Sequence, residues 1–398
     1  MKVLVAHEYY RSGAPSGEDS VYRNECELLR SNGVEVVPFE CFNDDIDDRT
    51  LGSRVRLAVD AAWSERTYRT VSELVRSTRP DLAHFHNTFP VMSPSAYAAC
   101  RDNGVPVVQT LHNYRLVCPG ALMTRDGRPC EACIGRVPLP ALVHRCYRDS
   151  LPATAAVVWM LQSNRFRGSY DRLIDRFIAL TTFAAGKFAA GGLPRDRIDV
   201  RPNFLAGTAD VGQGRGGYAV YVGRLSSEKG VRTLVDAWRH VRGLPLLMVG
   251  DGPLRQELEA TVAKHALDVR FLGIRAHDEV LRLVGDATLQ VVPSECYEGF
   301  PMTLVEAYAC GTPVVASRIG SVDEIVVEGE CGLKFDPKNA ADLAGKVRSL
   351  CAEPDRLRSM RRRARAEFEA RYTPERSFRR LVSIYQRAGA HRAANAHA

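Results

Sequence analysis

Two carboxylates stand close together in ECYEGFPMTLVEAYACGTPVVASRIG, the stretch that begins at Glu295. Glu298 and Glu306 are separated by seven residues, among them Gly299 and Pro301. The apolar run TLQVVPS before them predicts a buried strand, and PMTLVEAYAC predicts a helix with Pro301 near its first turn. The pattern places Glu298 in a strand-to-helix loop and Glu306 on the helix.

The start of such a helix is suited to binding an anion. Its first amides have no partner within the helix, its dipole is positive there, and Gly299 lets a ligand approach the backbone closely. Carboxylates beside a phosphate can accept hydrogen bonds from vicinal hydroxyls, as an acidic residue does with ribose in dinucleotide-binding folds. Glu298 and Glu306 are therefore candidate readers of sugar hydroxyls. A helix-start glutamate plus a solvated glutamate explains the spacing alone equally well.

Two cations follow another predicted strand, in YVGRLSSEKGVRTLVDAW. The strand ends at Gly223, Arg224 and Lys229 lie in the loop, and a helix begins after Gly230. Two positive charges at the carboxyl end of a strand suit a diphosphate. Solvated cations at a turn are the alternative, and the two glutamates strengthen the diphosphate interpretation.

Strand and helix patterns alternate along the 398 residues, whose 45% hydrophobic and 25% charged content is typical of two globular domains. The alternation restarts at YAVYVGRL, after a glycine-rich linker near residues 205–217. The sequence predicts two doubly wound α/β domains, 1–205 and 206–372, followed by a C-terminal helix and tail at 373–398. Ligands are expected at strand carboxyl ends, in a cleft between the domains.

The motifs GRLSSEKG, VGDGP, FLG and ECYEGFPMTLVEAYACGTPVVAS resemble those of the retaining glycosyltransferases of the GT-B fold, specifically glycosyltransferase family 4. The resemblance covers essentially the whole chain. It implies two Rossmann-like domains facing across a cleft, with the last helix returning to the N-terminal domain. It also implies hexosyl transfer from a nucleotide-sugar donor to an acceptor, with retention of anomeric configuration and without a catalytic metal ion.

The resemblance assigns donor contacts to individual residues. Arg224 and Lys229 would bind the diphosphate, Glu298 the donor sugar and Glu306 the ribose. The other donor-binding positions that it implies are Gly17, Gly223, Gly273 beside the base, Gly299, and the backbone amides of Phe300, Met302 and Thr303. The nucleotide base and the sugar stay open.

The N-terminal half supplies matching pieces. His112, in VVQTLHNY, matches the active-site histidine of the family, which would hydrogen-bond the donor sugar and support positive charge at the anomeric carbon. The loop RSGAPSGEDS resembles the glycine-rich loop near the donor phosphate, although Ser16 precedes Gly17 where two glycines are usual. HFHN, from His84 to Asn87, either lines the acceptor side or packs in the core.

Four cysteines cluster in CPGALMTRDGRPCEACIGRVPLPALVHRC, after His112 and within an insertion at about 115–150. The central C-x-x-C and its two flanking cysteines are spaced like ligands of a structural zinc, while thiols without metal or redox disulfides are the alternatives. The candidate ligands are Cys118, Cys130, Cys133 and Cys146. No catalytic cofactor is expected.

Charge and hydropathy bear on location and partners. No stretch approaches the roughly 18 to 20 apolar residues of a membrane span, and MKVLVAHEYY lacks the core of a signal peptide, so a cytoplasmic protein is expected. The net charge is +7. The segment around Trp159, Met160 and Leu161 carries arginines, which suits either a core-packed helix or an anionic membrane surface at the inner face.

These observations predict a glycosyltransferase of polysaccharide or glycolipid biosynthesis, acting on a glycan or a lipid-linked sugar acceptor. A catalytically silent GT-B scaffold or sensor that binds nucleotide sugar is the alternative, although Glu298 and His112 are both present. The arginine-rich RLRSMRRRARAEFEARY raises nucleic-acid binding as a third and weaker idea, because interleaved glutamates favour a solvated helix face.

Overall fold

A computed structural model describes residues 1–11, 17–46, 49–207 and 209–396, with side chains described as far as 393. The strands are β1 (Lys2–Tyr9), β2 (Glu35–Phe42), β3 (Leu82–Phe85), β4 (Val107–Leu111), β5 (Thr124–Arg125), β6 (Arg128–Pro129), β7 (Arg176–Ala179), β8 (Ile198–Val200), β9 (Ala219–Val222), β10 (Leu246–Val249), β11 (Val269–Gly273), β12 (Leu289–Val292), β13 (Val314–Ser317) and β14 (Gly332–Phe335).

Helices connect most of these strands. They are α1 (Gly17–Ser31), α2 (Leu51–Ala62), α3 (Glu65–Thr78), α4 (Ser95–Asp102), α5 (Leu139–Val143), α6 (Leu151–Arg167), α7 (Ser169–Leu173), α8 (Thr182–Ala190), α9 (Val231–Trp238), α10 (Arg255–His265), α11 (His277–Asp286), α12 (Met302–Ala309), α13 (Gly320–Ile325), α14 (Ala340–Cys351), α15 (Pro354–Arg371) and α16 (Pro374–Ala396). Within the described ranges, no helix has the length and apolar character that crossing a bilayer requires.

The chain forms two compact units. The first comprises Met1–Leu122, Glu131–Pro202 and Ser377–Ala398, and the second comprises Met123–Cys130 and Asn203–Arg376. The last helix α16 therefore belongs mostly to the first unit. Its side chains Leu381, Ile384 and Tyr385 pack with the apolar residues of β1 and α1.

The first unit contains a six-stranded parallel sheet in the order β2-β1-β3-β4-β7-β8. This is a doubly wound order in which the chain reverses direction across the sheet between β1 and β3. The carboxyl ends of those two strands carry His7 and His86, and His112 follows the neighbouring β4. The fold therefore gathers three histidines at one edge of the sheet.

The second unit contains a six-stranded parallel sheet in the order β11-β10-β9-β12-β13-β14. Counted from β9, this is the 3-2-1-4-5-6 order of dinucleotide-binding domains, with its reversal between β9 and β12. The sequence predicts this sheet because its strands are continuous apolar runs, as expected of strands covered by helices on both faces. One set of buried side chains lies on each face.

Close backbone approach fixes the loops at this reversal point. Gly230 has φ +69°, and a Cβ atom there would lie 1.8 Å from the carbonyl oxygen of Pro293. Gly250 has φ +128°, and its Cβ would lie 2.1 Å from the carbonyl oxygen of Gly223. Only glycine fits such positions, so the loops after β9, β10 and β12 are held against one another.

Candidate active site

In the second unit, the ends of β9 and β12 bring a cation and a carboxylate together. Lys229 Nζ donates to Glu298 Oε2 at 2.7 Å, and the hydroxyl of Ser294 donates to Glu298 Oε1. Lys229 ends the short turn after β9, and Ser294 follows β12 directly. The sequence identified Lys229 and Glu298 as separate contacts but missed Ser294, whose only signal is its position at the strand end.

The pair carries opposite charges at neutral pH. Burial opposes ionisation of Glu298, but the Lys229 ammonium and the Ser294 hydroxyl outweigh it, so the pKa of Glu298 lies below its ordinary value. Burial also disfavours the Lys229 ammonium, but the charge of Glu298 outweighs it and raises the pKa of Lys229. The two side chains therefore form a mostly buried ion pair.

Arg224 offers a second cation on the same loop. Its side chain is exposed, and the described part of the chain contains no ion pair or side-chain hydrogen bond to its guanidinium. Its backbone carbonyl accepts a hydrogen bond of 2.7 Å from Tyr221 Oη. The loop thus combines a paired lysine with an arginine that can reach an anionic ligand.

Helix α12 begins at Met302, four positions after Glu298. Its N-cap is Pro301, which supplies no side-chain hydrogen bond. Backbone amides in the first turn of a helix, here those of Met302 and Thr303, have no acceptor within the helix. The amides and the helix dipole favour an anion at this end.

Glu306 lies just over one turn into α12, with 13% of its side chain exposed. Burial raises the pKa of Glu306. His277, whose Nδ1 is 3.8 Å from Glu306 Oε1, partly opposes this increase. Gly273 ends β11 with φ +71°. A largely buried carboxylate whose nearest basic group is a histidine at 3.8 Å is suited to accepting hydroxyl hydrogen bonds.

In the first unit, His112 lines a cavity of about 60 Å³. Its Nε2 lies 2.9 Å from Nδ1 of His86. Burial, followed by the neighbouring His86 and His7, lowers the pKa of His112 well below its ordinary value. The imidazole is therefore neutral at pH 7. The same cavity is lined by Glu18, Tyr97, Asn113 and Arg115.

Gly17 is exposed and begins α1, while residues 12–16 of the expected glycine-rich loop lie outside the described residues. The neighbouring Glu18 accepts hydrogen bonds from Asn113 Nδ2 at 2.9 Å and from Tyr10 Oη at 3.3 Å. Sequence reasoning did not single out Glu18. Its only signal was its place directly after Gly17.

The four candidate zinc ligands are all partly exposed. Among the described residues, the group of potential metal ligands whose ligand atoms all lie within 4.8 Å of one another is Glu25, His84 and His86, which includes none of these cysteines. Zinc binding by the insertion therefore stays a prediction.

The segment considered as a membrane surface divides between core and surface. Met160 and Leu161 are buried, packing with Ala61, Ala62 and Val157. Trp159 remains 46% exposed. Of the two alternatives that the sequence left open, core packing applies to Met160 and Leu161, because that side of α6 packs on α2.

Both halves of the chain match known protein families. Residues 16–203 match the glycosyl transferase 4-like domain, and residues 213–367 match the glycosyl transferases group 1. Two solved structures cover nearly the whole chain at 18% identity. They are sucrose-phosphate synthase from Thermosynechococcus elongatus, with TM-score 0.71 over 98% of this chain and 99% of that one, and Anabaena Alr3699/HepE in complex with UDP, with TM-score 0.66 over 97% and 100%.

The two parallel-sheet domains thus define a GT-B protein. The chain belongs to the group 1 glycosyltransferases of family 4. It is 32% identical to 2-deoxystreptamine glucosyltransferase of Streptomyces kanamyceticus, over 76% of this chain and 77% of that protein. It is 30% identical to glycogen synthase of Mycobacterium tuberculosis over 74% of this chain, and spans 66% of that relative's length.

The ion pair predicts a pH-dependent stability difference. Lys229→Met should lower the free energy of unfolding by on the order of 3 kcal/mol at neutral pH, because it leaves Glu298 buried without its cation. The lowered pKa of Glu298 gives stability that is present above its ordinary pKa of 4.5 and lost as the pH falls through the folded value. The deficit should therefore shrink on acidification.

Urea unfolding of both proteins between about pH 7 and about pH 3 measures this difference, because the range must extend below the ordinary pKa of the carboxyl group. Lys264→Met, which removes an exposed lysine of α10, is the matched control and should change stability little at any pH. A Lys229→Met deficit that stays constant across the range would contradict the assignment.

Proposed function

We propose that this glycosyltransferase moves a sugar from a nucleotide-diphosphate donor to an acceptor, with retention of anomeric configuration and without a catalytic metal ion. The observation that carries the proposal is the cluster at the β9/β12 reversal. There Arg224, Lys229 and Glu298 adjoin the start of α12. Relatives captured with UDP and with UDP-glucose, among them Anabaena Alr3699/HepE, support a nucleotide-sugar donor.

Each part of this cluster suits one part of the donor. The guanidinium of Arg224 and the ammonium of Lys229 bind the diphosphate, assisted by the amides that begin α12. Glu298 accepts hydrogen bonds from sugar hydroxyls while it remains paired with Lys229. Glu306 accepts them from the ribose, and the backbone at Gly273 adjoins the base.

In the reaction, the bond between the anomeric carbon and the diphosphate oxygen breaks, and its electron pair leaves with the diphosphate. The acceptor oxygen bonds to the same face of the anomeric carbon, and its proton passes to the departing phosphate oxygen. Arg224, Lys229 and the α12 dipole stabilise the charge of the leaving group. His112, which is neutral, hydrogen-bonds the sugar as positive charge develops at its anomeric carbon.

Donor binding should raise the unfolding temperature selectively. UDP-glucose, GDP-mannose and ADP-glucose are each added separately to the protein. The nucleotide sugar that is the donor should stabilise the fold by about 2.7 kcal/mol at a hundredfold excess over its dissociation constant. Glu306→Ala should lose most of this stabilisation, since it removes the ribose acceptor. Differential scanning fluorimetry measures both effects.

Glu257→Ala is the matched control, because Glu257 is an exposed carboxylate of the same unit that pairs with Arg232. It should keep the full shift. If none of the three donors raises the unfolding temperature at millimolar concentration, the proposed donor site is contradicted. A selective shift without release of nucleoside diphosphate in the presence of acceptors would favour the scaffold or sensor alternative.

For the acceptor, we propose a lipid-linked sugar or glycan approached at an anionic membrane surface. The support lies in α2 and α6, which pack together in the first unit yet keep exposed apolar stripes. On α2 the exposed fractions are 80% for Leu51, 56% for Val55 and 50% for Val59, at intervals of four residues. On α6, Phe166 is 95% exposed. Exposed arginines accompany both stripes, at Arg54, Arg56 and Arg167.

Vesicle binding should depend on these stripes. The chain should sediment with vesicles that contain phosphatidylglycerol and less with pure phosphatidylcholine vesicles. Val55→Ser and Phe166→Ser should each weaken binding about tenfold, because each inserted apolar side chain contributes about 1.5 kcal/mol. Ile274→Ser, at a 78% exposed apolar residue of the second unit, should bind like the parent. Equal sedimentation of all four proteins would contradict the proposal.

Structural zinc in the cysteine insertion is a separate proposal, supported by the four-cysteine spacing. Elemental analysis of the purified chain should find one zinc per molecule. Cys130→Ser with Cys133→Ser should lose it, and Cys26→Ser, at a buried cysteine outside the insertion, should retain it. A metal-free parent chain would contradict this proposal and leave the donor site unaffected.

A further inference from the structure

A chain of side-chain hydrogen bonds inside the first unit ends at His112. Glu25 on α1 lies with its Oε1 3.1 Å from Nε2 of His86, the residue after β3. Nδ1 of His86 lies 2.9 Å from Nε2 of His112. The exposed fractions are 1% for Glu25, 1% for His86 and 9% for His112. The three groups form a continuous buried relay.

The carboxylate at the far end of the relay is held in its charged form. Arg201 Nη1 donates to the second oxygen of Glu25, and Arg201 Nη2 donates to Ser377 Oγ at 2.8 Å. Burial opposes ionisation of Glu25, but the Arg201 guanidinium and the neighbouring histidines outweigh it, so the pKa of Glu25 lies well below its ordinary value. Glu25 can therefore only accept hydrogen bonds.

This charge determines the position of each proton along the relay. Because Glu25 accepts, His86 must carry its proton on Nε2. Burial lowers the pKa of His86 although Glu25 opposes the shift, so the ring is neutral and its Nδ1 is an acceptor. His112 must then donate from Nε2, which leaves the Nδ1 of His112 as an unprotonated acceptor.

That acceptor is available to a ligand. Within the described residues, the only side-chain hydrogen bond of His112 is the one to His86. The ring lines the cavity that Asn113 and Arg115 also line. A neutral imidazole with its lone pair turned away from His86 can receive a hydroxyl hydrogen bond and favours nearby positive charge.

We propose that Glu25 and His86 are positioning residues that hold His112 in the tautomer protonated on Nε2, so that its Nδ1 accepts a hydrogen bond from a hydroxyl of the sugar being transferred. This inference rests on the proposed function, in which His112 contacts that sugar. It extends the active site to a carboxylate on α1 that never touches substrate. Fixing a histidine tautomer through a buried carboxylate is a known source of catalytic rate.

The geometry favours hydrogen bonding over a metal ion at Glu25, His84 and His86, which also meet the spacing of a metal site. Both ring nitrogens of His84 already have partners. Its Nδ1 lies 2.8 Å from Tyr385 Oη and 2.9 Å from Glu25 Oε1, the oxygen that also contacts His86, and its Nε2 lies 2.8 Å from Thr110 Oγ1. The Arg201 guanidinium already neutralises Glu25. A metal ion bound to Glu25 would lie next to the positive charge of Arg201, which disfavours it.

The first test determines the tautomer of His112 in the absence of substrate. Nitrogen-15 NMR of histidine-labelled chain, with His112 assigned by its loss in His112→Gln, should show Nε2 protonated and Nδ1 unprotonated. In His86→Leu the His112 ring should become a mixture of tautomers. A parent chain with His112 protonated on Nδ1, or a His86 signal displaced by one equivalent of Zn²⁺, would overturn the proposal.

The second test uses turnover, measured as nucleoside diphosphate released from UDP-glucose, GDP-mannose or ADP-glucose. His86→Leu should lower kcat about 10- to 100-fold with little change in donor KM, the usual cost of losing an orienting partner. His86→Gln should restore most of the activity, because an amide can donate to Glu25 and accept from His112. Rescue of this kind is not expected from a general loss of packing.

Tyr385→Phe is the matched control, since it removes a buried hydroxyl that contacts Nδ1 of His84, a neighbour of Glu25, and leaves both ring contacts of His86 in place. It should leave kcat and the His112 signals unchanged, with any loss of stability visible in thermal unfolding. Full activity of His86→Leu alongside an inactive His112→Ala would overturn the relay and leave the proposed function intact. Full activity of His112→Ala would overturn the role of His112 and the relay with it.

Discussion

The ends of the parallel strands position most of the polar groups in the candidate site. Inner strands of both sheets, among them β3, β4, β9, β12 and β13, are covered by helices on their two faces, so their side chains are buried and mostly apolar. Loops at the carboxyl ends are the places where a polar group can meet a ligand, and the reversal of strand order opens a crevice there. The ends of β9 and β12 hold Lys229 and Glu298, and the ends of β3 and β4 lead to His86 and His112.

Compensation of buried charge decides the protonation state of each carboxylate. Lys229 keeps Glu298 ionised, and Arg201 does the same for Glu25. Glu8 shows the opposite case: burial raises its pKa to about 8, although the amides of Val91 and Met92 donate to it. At neutral pH a buried carboxylate with a neighbouring cation is therefore a charged hydrogen-bond acceptor, while a buried carboxyl group without one is mostly neutral.

Family membership sets the class of reaction, while the side chains around the sugar and base set its specificity. The relatives of this chain are named for different reactions, among them glycogen synthesis and 2-deoxystreptamine glucosylation. The diphosphate and ribose contacts proposed here are common to any nucleoside diphosphate sugar. Discrimination between sugars rests on contacts to single hydroxyl groups. A buried polar group of the site rejects the wrong sugar strongly when that sugar leaves it without a hydrogen-bond partner.

The sequence by itself determined the two α/β domains and placed Lys229 and Glu298 in the loops at strand ends, where the structure joins them in an ion pair. These features follow from local patterns. An apolar run, a glycine with positive φ or a proline at a helix start determines the conformation of only the few residues around it. Tertiary structure alone decided that Ser294 and Lys229 share Glu298, that Met160 and Leu161 face the core, and that Glu25 reaches His112 through His86. Glu25 and His86 are 61 positions apart, and their contact depends on strand order and helix docking, which the periodicity of a single sequence does not encode.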